Sequence, residues 1–336
     1  MIQMFAVTAL PPVVVALISS AVVLGALVGL LAYVTLIERK FAARMQSRIG
    51  PYRVGPHGLL QPIADGVKLM MKEDLVPALA DKPVFKLAPV VFFVPCLLIF
   101  ASIPFAPNLG VADLNIGVLF FLAISSMEIV GLFMAGWGSN NKYALISAMR
   151  AVNQIISYDL PFLMAALIPV MLAGSLKLSD IAAAQHGGFW FIFYPVIGQL
   201  AFIAFIVAGV AAENRTPFDI LEAESELIAG FRVEYSGMKF AIIQLGEYAH
   251  VIGTSFLGAA LFLGAWAGPG PAWMGPIWFT IKALLIFVLF TWVRWSFLRI
   301  KVDQILSISW KLLFPLTMLL LLVTAAMIVL RSPAGV

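Results

Sequence analysis

The run WFIFYPVIGQLAFIAFIVAGVA (residues 190–211) leads almost directly into ENRTPFDILEAESEL (213–227), and these two stretches decide the fold. The first holds 22 residues without a charged side chain, enough for a helix to cross a bilayer. The second sets five carboxylates, Glu213, Asp219, Glu222, Glu224 and Glu226, into fifteen residues. Acids crowded beside a membrane span are costly to desolvate, so they point to proton or cation handling rather than to support of the fold. Thr216, Pro217 and Asp219 read as a helix start, with Thr as N-cap and Pro in the first turn. Asp219, Glu222 and Glu226 then share one face of a short helix ending near Gly230, where mutual repulsion favours retaining a proton. A solvated acidic loop is the simpler alternative.

Working outward, apolar runs of similar length recur along the 336 residues, at 13–36, 84–105, 115–137, 144–173, 238–267, 275–297 and 310–330. With 190–211 they make eight expected spans in a chain that is 62% hydrophobic and 11% charged, with mean hydropathy +1.03. The expected fold is an all-α polytopic membrane protein, one transmembrane domain over 1–336. The first run lacks preceding basic residues and a small-residue cleavage site, so it reads as a retained span. Nearly all lysines and arginines fall in the odd-numbered loops, which places those loops, the acidic one included, in the cytoplasm or matrix. Both termini are then expected on the periplasmic or intermembrane side. The net charge of +4 is thus a topology signal and not a sign of nucleic-acid binding.

Cys96 is the only cysteine, and His57, His186 and His250 lack ligand spacing, so neither a metal site nor an iron–sulfur cluster is expected in this chain. The first loop opens on Glu38-Arg39-Lys40, carries Arg48, and turns through Gly50-Pro51 and Gly55-Pro56. From Leu59 to Lys72, Gln61, Asp65 and Lys68 line one face while Leu60, Ile63, Val67 and Met70 line the other. This reads as an amphipathic helix lying in the interface. In the fourth span Arg150, Asn153, Gln154 and Ser157 form a polar stripe that should face the bundle interior or water. Asp159 lies on roughly the opposite face, before Pro161. With Glu128, Glu213 and Glu247 it suggests a proton path inward from the acidic loop, and Lys282 is a candidate partner for one of these acids.

Glu38-Arg39-Lys40, Gln46, Arg48, the Gly50-Pro51 to Pro62 stretch, the acidic loop, and Arg299, Lys301, Asp303, Gln304 with Trp310-Lys311 resemble, in order, the blocks of a known family. It is the quinone-site membrane subunit of respiratory complex I, which occurs in bacteria and in mitochondria. The resemblance runs from about residue 30 to 315. It implies a subunit of a proton-translocating NADH:quinone oxidoreductase, multi-pass in an energy-transducing membrane, with quinone as substrate and no redox centre of its own. FMN and iron–sulfur clusters would reside in partner subunits, one of them beside the quinone site; other membrane subunits and lipids would be further partners. It also implies a quinone chamber built with Glu38, Arg39, Arg48, Asp65, Arg215, Glu234, Arg299 and Asp303, and proton-carrying Glu213, Asp219, Glu222, Glu224, Glu226, Asp159 and Glu247. Asp159 stands where the family more often has the longer Glu. Two competing readings are the related membrane subunit of an energy-converting hydrogenase and a stand-alone cation/proton transporter. The long basic first loop opposes the former, and acids gathered at one side rather than at midplane helix breaks oppose the latter.

Overall fold

The computed structural model describes residues 12–107, 110–186, 188–221, 224–269 and 271–331. Within them the chain is helical without a β-strand. It begins with α1 (Pro12–Met45), the short α2 (Gln61–Met71) and α3 (Lys82–Leu98). Next come α4 (Gly117–Ser126), α5 (Glu128–Gly138), α6 (Lys142–Ala173) and α7 (Leu178–His186). The remainder is α8 (Ile197–Ala212), α9 (Glu224–Leu227), α10 (Gly237–Phe262), α11 (Gly275–Ser296), α12 (Val302–Ile308) and α13 (Phe314–Arg331). Among the described residues, five helical stretches are long and apolar enough to cross a membrane: Lys82–Ser102, Gly117–Gly138, Lys142–Ala173, Gly275–Ser296 and Val302–Leu330. The chain is therefore an all-helical polytopic membrane protein.

Two of these stretches bend for identifiable reasons. The Met127 N–H donates to Ile124 C=O at 3.1 Å, a tight 3₁₀-type step that separates α4 from α5. Ser309–Leu313 is a π-helical step ahead of Pro315, which has no N–H to give. It is tied to α6, where Ser309 Oγ donates to Ser157 C=O at 2.6 Å and Tyr158 Oη donates to Ile305 C=O at 2.8 Å.

Helices pack closely where small residues allow it. α5 lies against α3 and α6, and a Cβ on Gly131 would come within 2.4 Å of the Phe92 backbone nitrogen. Backbone cannot give way as a flexible side chain can. Gly131→Ala is therefore expected to destabilise the chain by about 1–3 kcal/mol, read as a lower melting temperature of the solubilised protein; an unchanged one would refute this packing.

Four expectations need correction. The run 190–211 becomes regular helix only at Ile197, because Pro195 lacks an N–H and Val196 adopts φ 65°. The run 238–267 leaves the helix after Phe262, and Lys282 binds no acid. Its Nζ donates to the carbonyls of Leu263, Ala265 and Ala267 at 2.6, 3.0 and 2.6 Å, and lies 4.3 Å from the Trp190 ring centroid.

The fourth correction concerns the acidic loop. Thr216 does not cap a helix there; residues 216–221 are irregular and α9 spans only Glu224–Leu227. The carbonyls that a helix would have used are taken by distant donors. Pro217 C=O accepts from the Ile300 N–H (3.0 Å), Phe218 C=O from Gln154 Nε2 (2.6 Å) and Leu221 C=O from Ser147 Oγ (3.0 Å). Phe218, Ile220 and Leu221 are buried, so the loop folds back into the bundle.

The bundle holds two cores. The larger includes Tyr158, Phe205, Tyr248, Phe287 and Phe290; the smaller gathers Phe85, Phe92, Leu132, Leu221, Phe231 and Tyr235. In the smaller one, the Phe85 and Tyr235 rings stack with centroids 4.2 Å apart.

Candidate proton-handling site

A cavity of about 140 Å³ lies between the two cores, walled by Phe92, Leu132 and Phe231 on one side and Tyr248 on another. Its polar lining comes from several elements. Glu128 begins α5, Glu213 closes α8, Arg215 and Asp219 come from the irregular loop, and Gln244 and Glu247 come from α10. Arg232 and Arg294 complete it. The folded-back loop carries Arg215 and Asp219 inward with it, which is why both are buried despite their loop position.

Glu38 anchors this end of the bundle. It is 2% exposed on α1, and its carboxylate accepts from Arg215 Nη1 at 3.2 Å and from Arg294 Nη1 at 2.5 Å. Arg215 also sits 4.9 Å from the centre of the Tyr248 ring. A carboxylate held by two guanidinium groups joins α1, α11 and the acidic loop in one buried cluster. Asp219 accepts from Arg299 Nη2 at 3.1 Å. Burial pushes the Asp219 carboxyl above its usual range, and Arg299, Arg294 and Arg232 pull it back only part of the way. Its neutral form consequently persists to higher pH than that of an exposed aspartate. Glu247 pairs with Arg232 at 2.9 Å.

Both Glu213 oxygens are shielded from solvent and make no well-aligned hydrogen bond; the Thr254 hydroxyl on α10 is the side-chain donor that faces them. Buried polar atoms of this kind are normally satisfied by water, and a polar cavity beside them has room for it.

The expected site residues thus divide. Glu213, Arg215, Asp219 and Glu247 share the cavity, and Glu38 and Arg299 hold two of its members. Arg150 reaches Glu226 at 2.6 Å, tying α6 to α9 in an exposed pair. Glu222 lies outside the described residues, and Glu224 is described only as part of α9. Asp159 stands apart from the cavity lining; its Oδ2 accepts from Ser126 Oγ at 2.9 Å.

The polar stripe splits as well. Gln154 is buried and donates to the carbonyls of Ala211 (2.7 Å) and Phe218, whereas Asn153 is exposed. Arg39 bridges to Asp65 at 2.7 Å, and Gln61 Nε2 donates to the same carboxylate, which fixes α2 against α1. Arg48 donates to Gln46, Glu234 accepts from Asn141, and Asp303 is exposed on α12. The apolar face of α2, with Ile63, Val67 and Met70, is exposed.

Arg294 and Arg232 look like flanking charges in the sequence, yet they supply cations to Glu38 and Glu247. Only the crossing of α10 over α1 and α11 brings these groups together. Among the described residues, no group of three or more His, Cys, Asp or Glu side chains is placed to hold a metal ion.

Comparison with known proteins adds a consistent pattern. The sequence pattern of the NADH dehydrogenase family matches residues 18–325. The chain is 48% identical over 300 residues to the H subunit of the NADH-quinone oxidoreductase of Dehalococcoides mccartyi (strain CBDB1), covering 89% of this chain and 82% of that protein. It is 45% identical over 320 residues to the corresponding NADH-quinone oxidoreductase chain of Rubrobacter xylanophilus, covering 94% and 96%. It is 47% identical over 321 residues to one from Geobacter metallireducens, covering 93% and 95%.

Proposed function

This chain belongs to the NADH dehydrogenase family, and on that premise we propose that it is the membrane subunit of a proton-translocating NADH:quinone oxidoreductase. The observation that carries the reading is the buried cavity where four carboxylates and three arginines converge at one end of the bundle. Quinone is the substrate, taken from the lipid phase. Electrons reach it from an iron–sulfur cluster in a peripheral partner, with FMN farther along that arm. The chain spans the energy-transducing membrane eight times with both termini on the periplasmic or intermembrane side, and α2 lies in the interface.

Reduction of a quinone to quinol takes up two electrons and two protons. Arg39, Arg48 and Arg215 would stabilise charge developing on the quinone, with Glu38, Asp65, Glu234 and Asp303 ordering the chamber wall. Asp219 is partly protonation-poised by its burial and is suited to answer that charge change. Glu213 and Glu247 take up the shift in the cavity, and Glu222, Glu224 and Glu226 feed it from the loop. Asp159 passes the change toward neighbouring membrane subunits. Gentle extraction followed by mass spectrometry tests the assembly: iron–sulfur and FMN-bearing chains are expected to come out with this one, and recovery as a lone chain would refute it.

Asp159 separates relay from packing. As a relay, Asp159→Asn should impair turnover and proton movement together while Asp159→Glu is tolerated. As a packing acceptor for Ser126, Asn should be nearly silent and the longer Glu should cost about 1–3 kcal/mol. Activity and melting temperature of the two variants, compared in sealed vesicles, decide it.

A further inference from the structure

One ionisable pair beside the cavity is not used by any of these roles. His250 is 8% exposed on α10, and its Nδ1 lies 3.3 Å from Glu128 Oε2 without the angle of a hydrogen bond. Glu128 is 6% exposed and lines the cavity; Cys96 on α3 donates its thiol proton toward the same oxygen at 3.7 Å. On α10, Glu247, His250 and Thr254 fall at i, i+3 and i+7, so one face of the helix leads from the cavity to this pair. Thr254 Oγ1 and both Glu213 oxygens on that route are buried and face each other without a well-aligned hydrogen bond.

From this geometry we propose that His250 exchanges a proton with Glu128, forming a branch of the cavity in which the charge of Glu128 is set from α10. This rests on the proton-translocating reading above and adds a group to it. The step is balanced within the pair: the Glu128 carboxylic O–H bond breaks, an Nδ1–H bond forms, and a neutral acid and imidazole become a carboxylate and an imidazolium. Water in the cavity exchanges the proton onward to Glu213 or Glu247. An imidazole suits this because one ring nitrogen can accept a proton while the other donates one.

The groups acting electrostatically on Glu128 come from each polar neighbour: Cys96 on α3, Asp159 on α6, Glu213 at the end of α8 and Glu247 on α10. On the other flank of α10, around Ile252 and Phe256, α1 presents Leu30 and Val34, and α11 presents Ala283 and Leu284. Cys96 is a weak thiol donor to Glu128 Oε2 and does not carry the proton itself.

The test uses the complete complex in sealed vesicles. His250→Asn keeps a polar atom near the place of Nδ1 but cannot carry a proton. It is expected to lower coupled turnover by about a hundredfold and to shift the carboxyl infrared band of Glu128 that Glu128→Gln identifies. The double variant is expected to be no slower than Glu128→Gln alone, because His250 acts through Glu128. Wild-type turnover and an unmoved Glu128 band in an assembled His250→Asn complex would overturn the inference. If Glu213→Gln were nevertheless impaired in that experiment, the broader reading would survive without this branch. If no carboxyl band responded to quinone reduction in the unaltered complex, both would fall.

Discussion

Glu38→Ala is expected to cost the folded chain about 3–5 kcal/mol. Removing the carboxylate leaves two guanidinium groups facing each other, and Arg215 is only 7% exposed. Arg294 retains some contact with solvent, its side chain being 28% exposed, which places the loss toward the lower end of that range. Because the cluster joins α1, α11 and the loop, the damage should show as a lower yield of assembled complex and a lower melting temperature. Glu38→Gln, which keeps one acceptor oxygen, should fall between. A stable, fully assembled Glu38→Ala complex would show that the two arginines are satisfied without Glu38.

Glu213→Gln is expected to act on rate instead. Neither oxygen of Glu213 makes a well-aligned hydrogen bond within the chain, and the isosteric amide keeps an oxygen for the facing Thr254 hydroxyl, so the change should leave the fold intact. What it removes is the ability to bind and release a proton at the cavity. Positioned proton transfer typically contributes a factor of 10²–10⁴, and a loss of about a hundredfold in coupled quinone reduction is expected at normal assembly. A turnover within twofold of the unaltered complex would exclude Glu213 from the path.

These two residues also show what a linear reading can and cannot reach. The membrane class follows from apolar runs, and α6 and α11 begin and end within two residues of the runs expected for them. The runs misled where the backbone met a local obstacle. Pro195 and Val196 delay α8, and Lys282 draws three carbonyls out of the end of α10. The acidic loop was legible as a site because five acids follow a span, yet its helix start was not, because donors on Gln154, Ser147 and Ile300 are remote in sequence.

Partner assignment shows the same division. Glu38 and Arg215 are both evident as charged residues, but nothing in their spacing of 177 positions pairs them. Arg294 reads as one more basic flank until α11 is laid beside α1. His250 lacks ligand spacing in the sequence and acquires meaning only when α5 brings Glu128 to 3.3 Å.

The central claim is that carboxylates of this chain couple quinone reduction to proton movement. Its most direct measurement records proton transfer and quinone reduction together in sealed vesicles holding the unaltered complex or the Glu213→Gln complex. With Glu213→Gln, both signals are expected to fall by the same large factor while electron transfer to an artificial acceptor upstream of quinone stays normal. Full quinone reduction with an unchanged number of protons per quinone would contradict the claim and return the acidic loop to a solvated surface feature.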